Sequence, residues 1–356
     1  MAASPMTTVL RLGIHAPYTW DVSTHMACVL GDLATVSSLP VSYLSYQAHD
    51  QGVHSQWDSR VLSSKRQDFG DWARDCSHLV WFAVHKNKLE IARQLGCHNT
   101  LVLLWNRLNP SDLEAIKQFD RVVCPTAASY ALCYDRSLHR NLSEIPWDSG
   151  LPLESQMRPV DSDRQKVLAV VEGQTARKHG ATLFSTIQML LDAQPQVDLT
   201  LCHNRNWSRP ALQQLNDLVR HRRDRITVRR KPPRTWRHLA YGQHHWTWLP
   251  NLYSNVGFYA LESLACNCPV LTYDLPPVTE FVRQAHNGHL IHCQQDSNWL
   301  GVPQGKLNAR ALLSGLEEAL EDSKYQEALR QTSWPERENR RSHFKHAWRK
   351  LWDLDS

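Results

Sequence analysis

Residues 250–291 read PNLYSNVGFYALESLACNCPVLTYDLPPVTEFVRQAHNGHLI, an order that few folds accommodate. A strand-like run over 245–249 leads in and stops at Pro250. A Gly257-Phe258 turn then opens a helix pattern, with Phe258, Leu261, Leu264 and Ala265 as its apolar positions. Glu262 lies inside that pattern. A short apolar strand follows over 269–273, Pro276 and Pro277 break it, and Glu280 is expected to open another helical turn. A loop, a glycine-started helix and a buried strand form an arrangement suited to nucleotides. The N–H groups at the helix start face an anion, and the helix dipole favours negative charge there. A carboxylate one or two turns into the helix reaches a ribose diol. The competing reading is an ordinary buried strand–helix–strand unit with Glu262 on its rim.

The rest of the chain fits a parallel sheet. Strands are expected over 9–15, 41–45, 78–84, 100–105 and 121–124, with helices over 22–34, 88–95, 110–119 and 127–134. Asn109 is expected to cap the third of these helices, and 47–71 reads as loop or short helix. A segment rich in Pro, Ser and Asp over 146–163 reads as a linker. A second alternating half follows: strands over 166–171 and 197–202, a loop over 172–179, and helices over 181–191 and 210–220. An amphipathic helix is expected over 307–320. Strand–helix alternation predicts doubly wound parallel sheets, whose ligands sit beyond the carboxyl ends of the strands. His15, Asp21, Asn106 and Thr126 fall at or just past such ends.

At 356 residues the chain suits two domains of moderate size. No stretch approaches the roughly 20 apolar residues of a membrane span. The first fifteen residues lack the charged-then-apolar pattern of a signal peptide. The nine cysteines are scattered, several of them in apolar runs, which predicts reduced buried thiols and a cytoplasmic location. Cys266-x-Cys268 has no second ligand pair, so no metal site is expected. The net charge is +5, and the run 222–237 concentrates Arg222, Arg223, Arg225, Arg229, Arg230, Lys231, Arg234 and Arg237. Such a run is either solvated surface or a patch for a polyanion.

The stretch 250–291 resembles the donor-site signature of GT-B glycosyltransferases, especially the retaining family four. That signature runs P-S-x-x-E-G-F-G-x-x-x-L-E-A-M-A-C-G-C-P-V-V, then P-E-[IV]-[IV], then N-G-x-L-V. Residues 250–257 match its first part and 261–270 its middle; Thr279-Glu280-Phe281-Val282 and the run 287–291 close it. One position departs: the family pairs two glutamates, and Ser254 stands where the first belongs while Glu262 keeps the second. The resemblance is strong over 250–291, fair over 166–249 and topological before that.

The resemblance implies an α/β GT-B architecture, two doubly wound Rossmann-like domains facing across a cleft. The expected parts are an acceptor domain over 1–148, a linker over 149–165, a donor domain over 166–332 and a helix over 333–356 that crosses back. It implies transfer of a sugar from a nucleotide-sugar such as a UDP-sugar, the cosubstrate, to an acceptor hydroxyl, with retention and without a metal. Glu262 is implied to hold the ribose, Arg177 and Lys178 the diphosphate, and Gly257, Phe258 and Ser254 to line the donor site. Inversion needs a base instead, for which Asp21 and His15 are candidates; Asn106 completes the candidate catalytic set. Three acceptor readings stand: a hydroxymethylated base of duplex DNA held by the run from Arg222 to Arg237; a lipid-linked or envelope glycan reached through peripheral membrane contact; or a nucleotide-sugar-binding protein without catalysis.

Overall fold

Short apolar strands paired in parallel build each half of the molecule. The computed structural model describes residues 10–16, 22–45, 58–61, 66–151, 164–171, 173–203, 207–252, 254, 256–306, 308–321 and 336–354. The chain divides into two units: Met1–Pro125 with Cys133–Ile145 and Lys345–Ser356, and Thr126–Leu132 with Pro146–Phe344.

The strands of the first unit are β1 (Leu12–His15), β2 (Val41–Ser45), β3 (Asp58–Val61), β4 (His78–Trp81), β5 (His98–Val102), β6 (Arg121–Cys124) and β7 (Leu142–Glu144). The helices along the same stretch are α1 (Val22–Val36), α2 (Arg66–Ala73), α3 (Lys86–Gln94), α4 (Leu113–Ile116) and α5 (Ala127–Asp135). The sheet order is β3-β2-β1-β4-β5-β6-β7, with every neighbour parallel. The direction of winding reverses between β1 and β4, and open α/β sheets bind ligands at the carboxyl side of such a point.

The second unit repeats the plan with β8 (Gln165–Val171), α6 (Gly173–Ala193), β9 (Val197–His203), α7 (Arg209–His221), β10 (Ile226–Arg230), α8 (Arg234–Gln243), β11 (Trp246–Leu249), α9 (Phe258–Ala265), β12 (Val270–Tyr273) and β13 (Gly288–Ile291). Its order, β10-β9-β8-β11-β12-β13, is again wholly parallel and reverses between β8 and β11. An antiparallel hairpin, β14 (Gln295–Trp299) and β15 (Val302–Gly305), precedes α10 (Ala309–Glu321). The closing helix α11 (Glu336–Leu351) belongs to the second unit as far as Phe344 and to the first from Lys345.

Sequence explains the central strands directly. In β11, Trp246, Thr247 and Trp248 are all fully buried, so this strand is covered on both faces, as parallel strands must be. Helix α10 turns Leu312, Leu316 and Leu320 into the core of the second unit. All nine cysteines are buried as thiols, with no disulfide between them.

Several expectations are corrected. The polar segment 47–71 contributes the edge strand β3 and most of α2, because a sheet edge needs little apolar sequence. The 110–119 helix is only a 3-10 turn, Pro110–Asp112, and the single turn α4; the Asp112 carboxylate accepts the Asn109 N–H at 2.9 Å. Glu280 closes the 3-10 turn Val278–Glu280 instead of opening a helix. The helix expected over 181–191 begins at Gly173, which absorbs the basic loop assigned to 172–179. The strand β7 and the hairpin carried no clear sequence pattern.

Gly288 shows why the Asn-Gly pair of the signature is steric. A Cβ there would lie 2.5 Å from the Val270 carbonyl oxygen across the β12–β13 ladder, and backbone cannot move aside. Gly242, on α8, has nothing within 4 Å of its missing Cβ. Gly288→Ala is therefore expected to cost about 1–3 kcal/mol through overpacking. Gly242→Ala should stabilise by about 0.5–1 kcal/mol through helix propensity. Urea midpoints of the two variants measure both; equal shifts in the same direction would refute this account of Gly288.

Candidate functional site

The second unit presents its polar residues where β11 gives way to α9. The chain turns there at Gly257, which takes φ 65° as the residue before the helix. A side chain is excluded twice over, by the left-handed conformation and by the Phe281 ring, 2.5 Å from where a Cβ would stand. The buried Ser254 hydroxyl accepts the Gly257 N–H at 2.9 Å, which fixes the loop. Ser254 thus serves the turn with its oxygen, in the place where the resembled family carries a carboxylate. Phe258 is fully buried, so a ligand at this helix start meets its backbone, not its ring.

Glu262 lies one turn further on, with 0% exposure. Helix α8 supplies its partners. Arg234 Nε donates to Oε1 at 3.1 Å, and Arg237 donates to both oxygens at 3.3–3.4 Å. His238 Nε2 stands 3.3 Å from Oε1, and the Tyr241 hydroxyl donates to Oε2 at 3.2 Å. Arg237 is itself 1% exposed, stacked over the Tyr259 ring at 5.3 Å and donating to the Pro232 carbonyl. Arg234 keeps 17% exposure, lies 5.8 Å over the Phe258 ring and also donates to the Ser149 carbonyl.

The electrostatics follow from this crowding. Burial opposes the charge of Glu262, but Arg237, then His238 and Arg234, outweigh it and hold the carboxyl well below its usual range. Burial also opposes the Arg237 charge, and Glu262 reverses that, so the guanidinium is held more firmly protonated than usual. Burial lowers His238 despite Glu262, so the ring is neutral near neutrality. A carboxylate only accepts, and Nε2 must therefore carry the ring proton. Burial, then Glu262, keeps the Tyr241 phenol protonated.

These partners stand at positions i, i+3, i+4 and i+7 of one helix, a single face of α8. That spacing was the sequence signal for a buried acid. It was hidden because the first two arginines belong to a longer basic run.

The same fact corrects the reading of 222–237 as one polyanion-binding surface. Arg237 is interior and Arg234 is committed to Glu262. Arg225 donates to the carbonyls of Leu191, Gln194 and Val197, while Arg222 pairs with Asp192. Arg229 stays exposed and lies 5.7 Å over the Trp236 ring. The run divides among helix-end capping, an ion-pair core and an edge strand, since strand and helix geometry turn its members in different directions.

The remaining predicted residues fall as follows. Arg177 and Lys178 lie in the second turn of α6, a helix that starts at Gly173 just beyond the end of β8. Asp21 falls outside the described residues. His15 ends β1 in the first unit and is fully buried, 4.6 Å from the Trp81 ring, 6.0 Å from Phe69 and 5.2 Å from His85. Burial, then His85 and Lys88, hold it well below its usual value, so it is neutral near neutrality. An enclosed ring meets no acceptor directly, which counts against the base role considered for it. Asn106 is exposed, on the 3-10 turn Trp105–Arg107 after β5. Among the described residues no group of three or more His, Cys, Asp or Glu is placed to hold a metal, and Cys266 and Cys268 direct their sulfurs to the carbonyls of His238 and His244.

No family model matches the chain, and no curated protein matches it in sequence. Solved structures do match. HepE (Alr3699) from Anabaena, in complex with UDP and glucose, gives a TM-score of 0.73 at 10% identity, over 97% of this chain and 100% of that one. Sucrose-phosphate synthase from Thermosynechococcus elongatus gives 0.70 at 13% identity, over 97% and 99%. A glycosyltransferase from Rickettsia africae gives 0.69 at 9% identity, over 97% and 98%. At such identities the likeness is one of fold, and the fold is GT-B, two doubly wound α/β units in one chain.

Removing one side of a buried ion pair costs about 3–5 kcal/mol, because the other charge is left uncompensated. Glu262→Gln is expected to lose that much at neutral pH in urea unfolding. The folded carboxyl is depressed, so its contribution is fully present above the ordinary Glu value of about 4.3 and is lost as the pH falls from there. The gap between wild type and variant should therefore narrow on acidification below that value. A gap that stays constant would show that Glu262 is not a charged partner of Arg237.

Proposed function

We propose that this chain is a glycosyltransferase whose second unit binds a nucleotide-sugar, such as a UDP-sugar, and donates the sugar to an acceptor hydroxyl. The observation that carries the reading is the anionic Glu262 set behind the partly exposed Arg234, beside the glycine-started helix α9. The signature over 250–291 supports it, as does the match in fold to HepE, a structure that contains UDP and glucose.

In this reading Glu262 remains the ribose anchor, but through an exchange. Its two oxygens already accept from four side chains, so a ribose hydroxyl must take a place now filled. Arg237 is locked in the interior, whereas Arg234 and His238, at 17% and 22% exposure, both reach Oε1 from the solvent side, and of the two Arg234 carries the fixed positive charge. The nucleotide ribose takes the Arg234 position on Oε1, and the released guanidinium turns to the diphosphate. Arg177, Lys178 and the start of α6 hold the same group. As the bond from the anomeric carbon to the diphosphate oxygen breaks, these cations neutralise the leaving charge. Transfer is retaining and needs no metal: the leaving phosphate oxygen takes the acceptor proton, so no strong side-chain base is required. The acceptor domain is 1–148, and 166–332 is the donor domain.

A second reading rests on Ser254. Its hydroxyl is spent on the turn, and no carboxylate stands in that position, so the chain binds the nucleotide-sugar without transferring it. Turnover separates the two. Calorimetry with UDP should show saturable binding. Arg234→Gln should weaken it by about 1.5–3 kcal/mol, the loss for a hydrogen bond between charged groups, while uridine, which then displaces no guanidinium from Glu262, should not weaken. Arg177→Ala with Lys178→Ala should likewise weaken UDP, with uridine nearly unchanged. No UDP binding by wild type, or equal losses for UDP and uridine, would exclude the diphosphate roles. Mass spectrometry of UDP-sugars incubated with hydroxymethylated DNA, lipid-linked acceptors and free glycans then tests transfer. Binding with no sugar moved to any acceptor favours the non-catalytic reading.

A further inference from the structure

The segment from Trp147 to Leu151 belongs to the second unit and is buried, apart from the half-buried Gly150. Its carbonyls are held by arginines. Arg340 Nε donates to Trp147 at 2.7 Å, Arg341 to Leu151 at 2.8 Å and Arg337 to Leu151 at 3.3 Å, all three from the first turns of α11. The middle carbonyl, that of Ser149, accepts instead from Nη2 of Arg234, whose Nε is on Glu262. One guanidinium therefore joins the buried acid of the candidate donor site to the centre of a segment whose ends are pinned by α11.

A local turn presents the Ser149 carbonyl. The Gly150 N–H donates to Asp148 Oδ2 at 3.1 Å, and the Leu151 N–H to the Ser149 hydroxyl at 3.3 Å. Gly150 takes φ 69°, a left-handed conformation that β-branched residues avoid. The guanidinium is planar and rigid, so Nε and Nη2 move together. Arg234 keeps 17% exposure, so a diphosphate meets it without entering the interior. A guanidinium that turns to the diphosphate leaves Ser149 as well as Glu262. The Glu262 oxygen then gains a ribose hydroxyl, whereas that exchange brings the Ser149 carbonyl no new donor.

We propose that Arg234 and the Ser149 carbonyl form a latch, closed in the free protein and opened when a nucleoside diphosphate draws the guanidinium away, so that the turn Asp148–Leu151 loosens when the donor site is filled. The latch rests on the reading of Arg234 as a diphosphate ligand. The arginines of α11 keep Trp147 and Leu151 in place, so the centre of the segment is released and its attachment is not. A closed latch lowers affinity, because binding has to offset a hydrogen bond from a charged donor.

Hydrogen–deuterium exchange followed by peptide mass spectrometry reads the latch in the full chain. In peptides that span Asp148–Leu151, saturating UDP should speed exchange about tenfold, the effect of losing a hydrogen bond to a charged group, while peptides from α10 stay unchanged. Arg234→Gln should show the fast exchange without nucleotide and no further rise with it. Gly150→Val, which the left-handed φ rejects, displaces the Ser149 carbonyl and should tighten UDP binding about tenfold in calorimetry, the opposite of what a damaged fold does. Slower or unchanged exchange with UDP bound, unchanged exchange in Arg234→Gln, or weaker or unchanged UDP binding by a Gly150→Val protein of native circular dichroism would each overturn the latch. A wild type that binds no UDP would instead remove the nucleotide reading. Ligand-free Arg234→Gln then decides the tether by itself: fast exchange supports it, and unchanged exchange overturns it.

Discussion

The buried pair of Glu262 and Arg237 is the interaction around which the second unit is arranged. Neither group tolerates the interior alone, so the two elements that carry them, α9 and α8, are held to one relative position. That position fixes the rest. Arg234 is drawn over Phe258, Gly257 is pressed against Phe281, and Ser254 closes the loop between them. The acid, the guanidinium and the helix start all lie at the carboxyl side of the sheet.

The parallel plan was legible because its strands are short apolar runs separated by helices of clear period. Windows such as 41–45, 121–124 and 197–202 fall almost where the strands lie. Elements at the margins were harder to read. The edge strand β3 is polar because only one side of it pairs, and β7, with Leu142 and Ser143 partly buried and Glu144 exposed, has no alternation to detect. Residues 172–179 read as a loop, yet the backbone from Gly173 is helical, and neither Arg177 nor Lys178 opposes a helix.

The candidate site was legible by half. Gly257 and Glu262 stand out in the sequence because a left-handed turn and a carboxylate among apolar neighbours are both rare. What surrounds Glu262 was not, because charge was counted along the chain while its direction is set by helix rotation. Arg229 on strand β10 and Arg237 on helix α8 lie in one run, yet the first is exposed and the second interior, because strand and helix aim their side chains differently. A single-residue step in a helix turns a side chain by about 100°, so a run of arginines spreads over several faces instead of concentrating on one.

The cysteines have a practical consequence. Every one of the nine is buried, and burial pushes Cys202 and Cys266 up to about 12 and Cys293 up to about 11. A thiol reacts as its thiolate, so these three stay silent toward maleimides near neutrality, and the other six are shielded by the fold. A cysteine placed on an exposed position of each unit would then be labelled against a dark background, with no need to strip the native thiols. Two dyes introduced this way turn the separation of the two units into a quantity that single-molecule energy transfer reads directly, as a distribution and in real time.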